Sequence, residues 1–218
     1  MFITFEGIEG CGKTTQIKRL SGVLTRSGVP HITTLEPGGT LVGVQIRRIL
    51  LDAGNTGLSP MAELMLYEAD RAQHVEEIIR PALEQGKWVL CDRFFDATMA
   101  YQGVARDLDR PFVESLNERV TSGIRPDRTF LLDCPVEVGL DRALKRNQKD
   151  SEKGQDRFER ERLTFHRKVR EAYLEFARRD ADRFVVVDGV LSEDEVEERI
   201  IEHVLRLLPG ESPMGRLP

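Results

Sequence analysis

Gly7-Ile8-Glu9-Gly10-Cys11-Gly12-Lys13-Thr14 stands near the start of the chain, behind the apolar run Met1-Phe2-Ile3-Thr4-Phe5 and a single Glu6. The spacing is G-x-x-x-x-G-K-T after a strand-like segment and before a helix-like one, the arrangement of a phosphate-binding loop. Each residue type has a physical task there. Glycines let the backbone curl until successive N–H groups converge on phosphate oxygens. The N-terminus of the following helix adds the positive end of its dipole. Lys13 supplies a mobile cation for β- and γ-phosphates, and Thr14 a hydroxyl for a hydrated magnesium ion. Cys11 reads as a small residue at a variable position rather than a redox centre. The loop predicts a nucleotide phosphate site and leaves open what is done with the phosphates.

Outward from the loop, five short segments rich in Val, Ile, Phe and Leu predict buried strands: 2–5, 31–35, 88–91, 129–132 and 184–187. Helical stretches separate them, which predicts an α/β fold, a five-stranded parallel sheet with helices on both faces. Ligands then belong beyond the carboxyl ends of the strands. Polar residues gather there: Glu6-Gly7, Glu36-Pro37-Gly38-Gly39-Thr40, Asp92-Arg93, Asp133 and Asp188-Gly189 each follow a strand. Ser192 with Glu195 forms a capping box, and Val196, Ile200, Val204 and Leu207 make one apolar stripe of a last helix. Pro209-Gly210 stops that helix, so 1–208 reads as one domain and 209–218 as a disordered tail.

With 32 Lys and Arg against 37 Asp and Glu, the chain of 218 residues carries a net charge of −5. No global basic field invites nucleic acid, so a polyanionic ligand needs local clusters of Arg and Lys. The three cysteines are odd in number and match no zinc spacing, which suits a reduced, cytoplasmic setting. No apolar run reaches the ~18 residues of a membrane span.

Candidate cations near the strand ends are Arg47, Arg71 and Arg93. An arginine is by default a surface residue; Arg93, directly behind a buried strand and Asp92, is the exception. Asp92 holds the position of an acid that binds magnesium through water, or else caps a helix or pairs with an arginine. Glu9 places a carboxylate inside a loop built for anions, which a neighbouring acceptor hydroxyl explains better than solvent does. Residues 142–162 carry eight basic and five acidic residues and almost nothing apolar. They read either as a solvated surface or as a lid whose arginines close over phosphates. No Asn-Lys-x-Asp occurs, so a guanine-nucleotide switch lacks its base-reading motif.

The series Phe5-Glu6-Gly7-Ile8-Glu9-Gly10-Cys11-Gly12-Lys13-Thr14-Thr15-Gln16, Glu36-Pro37-Gly38-Gly39-Thr40, Asp92-Arg93-Phe94, Ala100-Tyr101-Gln102-Gly103, Arg125-Pro126-Asp127 and Asp156-Arg157-Phe158-Glu159 resembles the bacterial thymidylate kinases. The resemblance extends from Met1 to about Leu208. It implies a nucleoside monophosphate kinase of the phosphate-loop type with a helical lid, transferring phosphate from ATP to dTMP with Mg2+. It implies ATP on Gly7, Ile8, Glu9, Gly10, Cys11, Gly12, Lys13, Thr14 and Thr15, and the metal ion at Thr14 and Asp92. Tyr67 would stack on thymine and Arg71, one turn on, would reach a thymine carbonyl. Arg47 and Arg93 would hold the dTMP phosphate, while Thr98, Tyr101 and Gln102 line base and sugar and Glu9 meets the 3′-hydroxyl. Because the loop has no basic residue at positions 8–11, the transferring charge would be neutralised by Arg142, Arg146 or Arg157. The resemblance also implies a homodimer through helices around 60–80 and 94–122. Three positions depart from the family pattern: Leu35 replaces an Arg, Tyr67 a Phe, and Thr98 stands where Ser is common. Another mononucleotide kinase, or a nucleotide switch without a small acceptor, is the alternative.

Overall fold

Every predicted strand forms, each ending on the residue that precedes or carries its polar terminus. In the computed structural model, which describes residues 1–149 and 156–207, the strands are β1 (Phe2–Glu6), β2 (His31–Leu35), β3 (Trp88–Asp92), β4 (Arg128–Asp133) and β5 (Phe184–Asp188). They pair in the order β2-β3-β1-β4-β5, all parallel. The central β1 is buried along its whole length, whereas the edge strands β2 and β5 are partly exposed. Because every pairing is parallel, Glu6, Asp92, Asp133 and Asp188, each the last residue of its strand, share one rim.

Alternation sorts the core. Phe2, Val89 and Cys91 pack with Val75, Ile79 and Ala82, while Ile3, Phe5 and Leu90 join Ile17, Leu20 and Leu24. The helices are α1 (Lys13–Arg26), α2 (Leu41–Leu51), α3 (Pro60–His74), α4 (Arg80–Glu84), α5 (Phe95–Thr98), α6 (Arg110–Thr121), α7 (Val136–Lys149), α8 (Leu163–Arg179) and α9 (Glu193–Leu205). Two π-helical segments, Val75–Ile79 and Met99–Ala105, have no counterpart in the hydrophobic pattern. The second carries Tyr101 and Gln102, in keeping with the tendency of π-turns to occur at functional sites.

The N-terminal signal of α9 is present in full. Ser192 Oγ accepts from the Glu195 amide at 3.3 Å and Glu195 Oε2 accepts from the Ser192 amide at 2.9 Å. Val196, Ile200 and Val204 are buried and Leu207 packs beside them. The expected tail 209–218 and residues 150–155 of the expected lid lie outside the described residues. Among the described residues no helix is long and apolar enough to cross a membrane. Ser192→Ala removes one half of the capping box and is expected to lower unfolding free energy in urea by about 1 kcal/mol with an unchanged m-value.

Candidate active site

The loop between β1 and α1 turns through three positive-φ glycines, Gly7 at 132°, Gly10 at 70° and Gly12 at 100°. Two of them have no room for a side chain. A Cβ on Gly7 would lie 2.5 Å from the Leu132 carbonyl oxygen, and one on Gly10 2.0 Å from that of Gly139. Gly139 of α7 is equally tight, its Cβ position 2.6 Å from the Glu9 carbonyl oxygen. The loop is thus clamped between β4 and α7, and Gly139 is a requirement that no motif announces. Lys13 folds back, donating from Nζ to the carbonyls of Ile8 at 3.0 Å and Gly7 at 3.2 Å. The Thr14 hydroxyl donates to Asp92 Oδ2 at 2.9 Å, so the two groups expected at a cation adjoin.

A cavity of about 1140 Å³ opens over the carboxyl rim. It is larger than the ~300–1,000 Å³ of a site for one small molecule. The loop from Glu9 through Thr15 lines it, with Arg142 and Arg146 of α7 and with Arg47, Tyr67, Asp92, Arg93, Thr98, Tyr101 and Gln102. Gly7 and Ile8 do not: both are buried, and it is their carbonyls that hold Lys13. Arg142 donates to the Gly189 carbonyl at 2.8 Å, and Arg146 is more than half exposed, 3.8 Å from Glu159.

Two expected ligand-facing arginines are turned elsewhere. Arg71 stands one turn after Tyr67 as the spacing requires, but it is 1 % exposed and does not line the cavity. Its guanidinium donates to Glu36 at 2.8 Å, Glu68 at 2.7 Å, Asn117 at 2.8 Å and the Thr98 hydroxyl at 2.9 Å. Buried carboxylates demand a cation, and burial together with Glu36 pushes the nearby Asp70 up to about 6. Arg157 is drawn into a second cluster: it pairs with the buried Glu63 at 2.7 Å and donates to the Leu50 carbonyl. Gln102 and Arg106 donate to the same carboxylate. Of the three lid arginines named by resemblance, only Arg142 and Arg146 reach the cavity.

Arg93 is the centre of the site. Its Nη2 donates to Glu9 Oε1 at 3.0 Å and to the Tyr101 hydroxyl at 3.1 Å, and its Nη1 to the Tyr173 hydroxyl at 3.1 Å. Tyr101 donates in turn to Glu9 Oε1 at 2.6 Å. Burial works against the Glu9 carboxylate, but His166, Arg93, Lys13 and the Tyr101 hydroxyl together hold it well below the usual carboxylate range. Behind Arg93, Tyr173 donates to Glu6 Oε2 at 2.7 Å and the Phe94 amide to Glu6 Oε1 at 2.7 Å. Burial, with Asp96 nearby, pushes the Glu6 carboxyl up to about 8. Tyr173 and His166, which the motifs do not touch, come from α8, and only tertiary packing brings them to the loop.

A family model described as "Thymidylate kinase" matches residues 5–200. The chain belongs to the thymidylate kinase family. A thymidylate kinase of Trichlorobacter lovleyi is 53 % identical over 208 residues, covering 95 % of this chain and 98 % of the relative. That of Citrifermentans bemidjiense is 57 % identical over 188 residues, covering 86 % and 84 %. Among solved structures, the thymidylate kinase from Ehrlichia chaffeensis matches with a TM-score of 0.72 at 33 % identity, covering 94 % of this chain and 98 % of that one. Leu35, which the resemblance marks as a departure, puts an apolar side chain on the cavity wall.

Glu6 makes stability pH-dependent. Its folded pKa, about 8, stands above the unfolded value, so the folded state keeps a proton that the unfolded chain releases. That contribution is complete below about pH 4.5 and is lost as pH rises towards 8. Glu6→Gln is expected to flatten the fall in unfolding free energy between pH 5 and 8, measured by urea denaturation at each pH.

Proposed function

We propose that this chain transfers the γ-phosphoryl group of ATP to dTMP, giving ADP and dTDP, within a single phosphate-loop kinase domain. The observation that carries the reading is one cavity lined both by the phosphate loop and by Arg47, Tyr67, Arg93 and Tyr101. Phosphoryl transfer asks little covalent chemistry of a protein and depends on positioned cations. An oxygen of the dTMP phosphate attacks the γ-phosphorus in line, and the bond to the β–γ bridging oxygen breaks. Lys13 leaves the loop carbonyls for the β- and γ-phosphates, a stronger charged acceptor. Arg93 and Arg47 hold the attacking phosphate. Arg142 and Arg146, already on the cavity wall, neutralise the transferring group in place of the cation missing from the loop.

On the acceptor side Tyr67 stacks on thymine, Thr98 and Gln102 line the base, and Arg71 acts through Thr98, whose hydroxyl it holds. Glu9 accepts from the sugar 3′-hydroxyl, and the Tyr101 ring occupies the space a 2′-hydroxyl needs. Hard oxygen donors suit Mg2+, and Thr14 and Asp92 would hold it at the loop. Among the described residues no cluster of three or more His, Cys, Asp or Glu side chains is placed to hold a metal ion, so phosphate and water would supply its other ligands. Held there, the ion would supply positive charge that draws negative charge off the phosphates. Cys11, Cys91 and Cys134 are free thiols, which supports a reducing, cytoplasmic setting.

A coupled assay across the nucleoside monophosphates is expected to show dTMP strongly preferred; preference for AMP or CMP would overturn the acceptor. Lys13→Ala is expected to remove most turnover with an unchanged melting temperature. We further infer a homodimer, supported by exposed apolar residues on adjoining helices: Leu41 and Val42 of α2, Met61 and Met65 of α3, and Phe112 of α6. Light scattering is expected to give twice the chain mass of 24.8 kDa, falling to one chain for Met65→Glu.

A further inference from the structure

His166 of α8 is fully buried, and its ring touches two separate parts of the site. Nε2 lies 3.0 Å from the Phe158 carbonyl oxygen. A carbonyl only accepts, so Nε2 carries the proton of that bond. Nδ1 stands 3.4 Å from Glu9 Oε2. Neither Nδ1 nor Oε2 has a hydrogen-bond partner among the described residues, although both are buried. Buried polar atoms left that way are rare and costly. Were Nε2 the sole protonated nitrogen, two lone pairs would face each other across the gap. The carboxylate does not supply the missing proton, because Arg93 from the end of β3 and Tyr101 from the π-helical segment both donate to Oε1, with Lys13 of α1 adding positive charge. The Phe165 ring stands nearly perpendicular to the imidazole, with ring centroids 5.6 Å apart, and brings no charge.

We propose that His166 is a positioning residue, an imidazolium that donates from both nitrogens, fixing the second oxygen of Glu9 and tying it to the backbone at Phe158. Glu9 is then held on both oxygens, Oε1 by Arg93 and Tyr101 and Oε2 by His166, with its plane set for a hydroxyl. The far end of the bridge matters equally. The Phe158 ring lines the cavity, 5.5 Å from Tyr101 and 6.4 Å from Tyr67. His166 therefore couples the loop carboxylate to an aromatic wall of the acceptor side. The 3.4 Å contact is of the kind that shortens when a ligand completes the site. That the hydroxyl is the 3′-hydroxyl of dTMP rests on the function proposed above.

Amide side chains separate the two bonds, since Asn places its nitrogen near Nδ1 and Gln near Nε2. At saturating ATP, His166→Gln is expected to lower kcat/KM for dTMP by about tenfold or more, while His166→Asn stays within about threefold, as loss of a hydrogen bond to a charged group implies. The KM for ATP is expected to be unchanged in both. Equal losses in the two variants, tracking equal falls in melting temperature, would show a structural role and overturn the proposal, as would wild-type kinetics in His166→Gln. The unaltered protein gives a second readout that needs no variant of His166 to fold. In nitrogen-15 NMR of histidine-labelled protein, with the other three histidines identified by their own substitutions, both ring nitrogens of His166 are expected at imidazolium shifts. One protonated and one bare nitrogen would overturn the proposal. Absence of dTMP turnover by the unaltered protein would instead overturn the acceptor reading, and the nitrogen shifts would still decide the state of His166.

Discussion

Arg93 sits where β3 ceases to be a strand. Its amide donates to the Phe5 carbonyl oxygen at 3.0 Å, a last rung against the central strand, and its backbone then turns left-handed with φ at 69°. A residue with a Cβ held there costs on the order of 1–3 kcal/mol, and the conformation persists only where its surroundings over-determine it. Here they do. The guanidinium lies 5.0 Å over the Tyr101 ring and donates to Glu9, Tyr101 and Tyr173, drawn from the phosphate loop, the π-helical segment and α8. The strained turn aims the arginine at the loop; without it the guanidinium would follow the pleat of β3 into one face of the sheet. The remaining groups of the proposed acceptor side are arranged around that one direction.

Charge is distributed accordingly. The phosphate loop contributes one cation, Lys13, and one anion, Glu9, so it does not by itself neutralise two sets of phosphates. In the proposed reaction the balance comes from Arg93 at the end of β3, from Arg47 on α2, and from Arg142 and Arg146 on α7. Gly139 makes the last contribution possible. With no side chain on Gly139 or Gly10, α7 comes close enough to the loop for backbone to meet backbone, and Arg142, nearly one turn further along α7, reaches the cavity. A steric requirement in one helix thereby sets the placement of a cation.

Much of this was legible in the sequence because it is encoded locally. Strands buried on both faces read as apolar runs, the capping box of α9 is a three-residue spacing, and the loop is a contiguous motif. What could not be read depends on partners chosen by packing. The spacing of Tyr67 and Arg71 puts both on one side of α3, yet it does not disclose that Glu36, Glu68 and Asn117 converge behind Arg71 and turn it inward. Arg157 looked like its neighbours in a charged stretch until Glu63, 94 residues earlier, claimed it. Tyr173 and His166 carry no motif at all. Residues separated by 167 positions, Glu6 and Tyr173, meet because α8 crosses the sheet, and no periodicity in either segment announces that.

The Glu63 cluster shows why such claims matter for function. A carboxylate that is 1 % exposed is tolerable only when its oxygens are filled, and here Gln102, Arg106 and Arg157 fill them. Those donors come from the π-helical segment and its C-terminal cap and from the segment that carries Phe158, while Glu63 itself lies one turn before Tyr67 on α3. The three aromatic residues of the proposed acceptor wall, Tyr67, Tyr101 and Phe158, are therefore fixed relative to each other through one buried charge. Removing that carboxylate would leave Arg157 desolvated without its ion-pair partner beside the wall and Arg106 with Glu161 alone, a larger loss than any single ring contact supplies. The wall is an electrostatic construction faced with aromatic rings, and its shape is as firm as the pairing behind it.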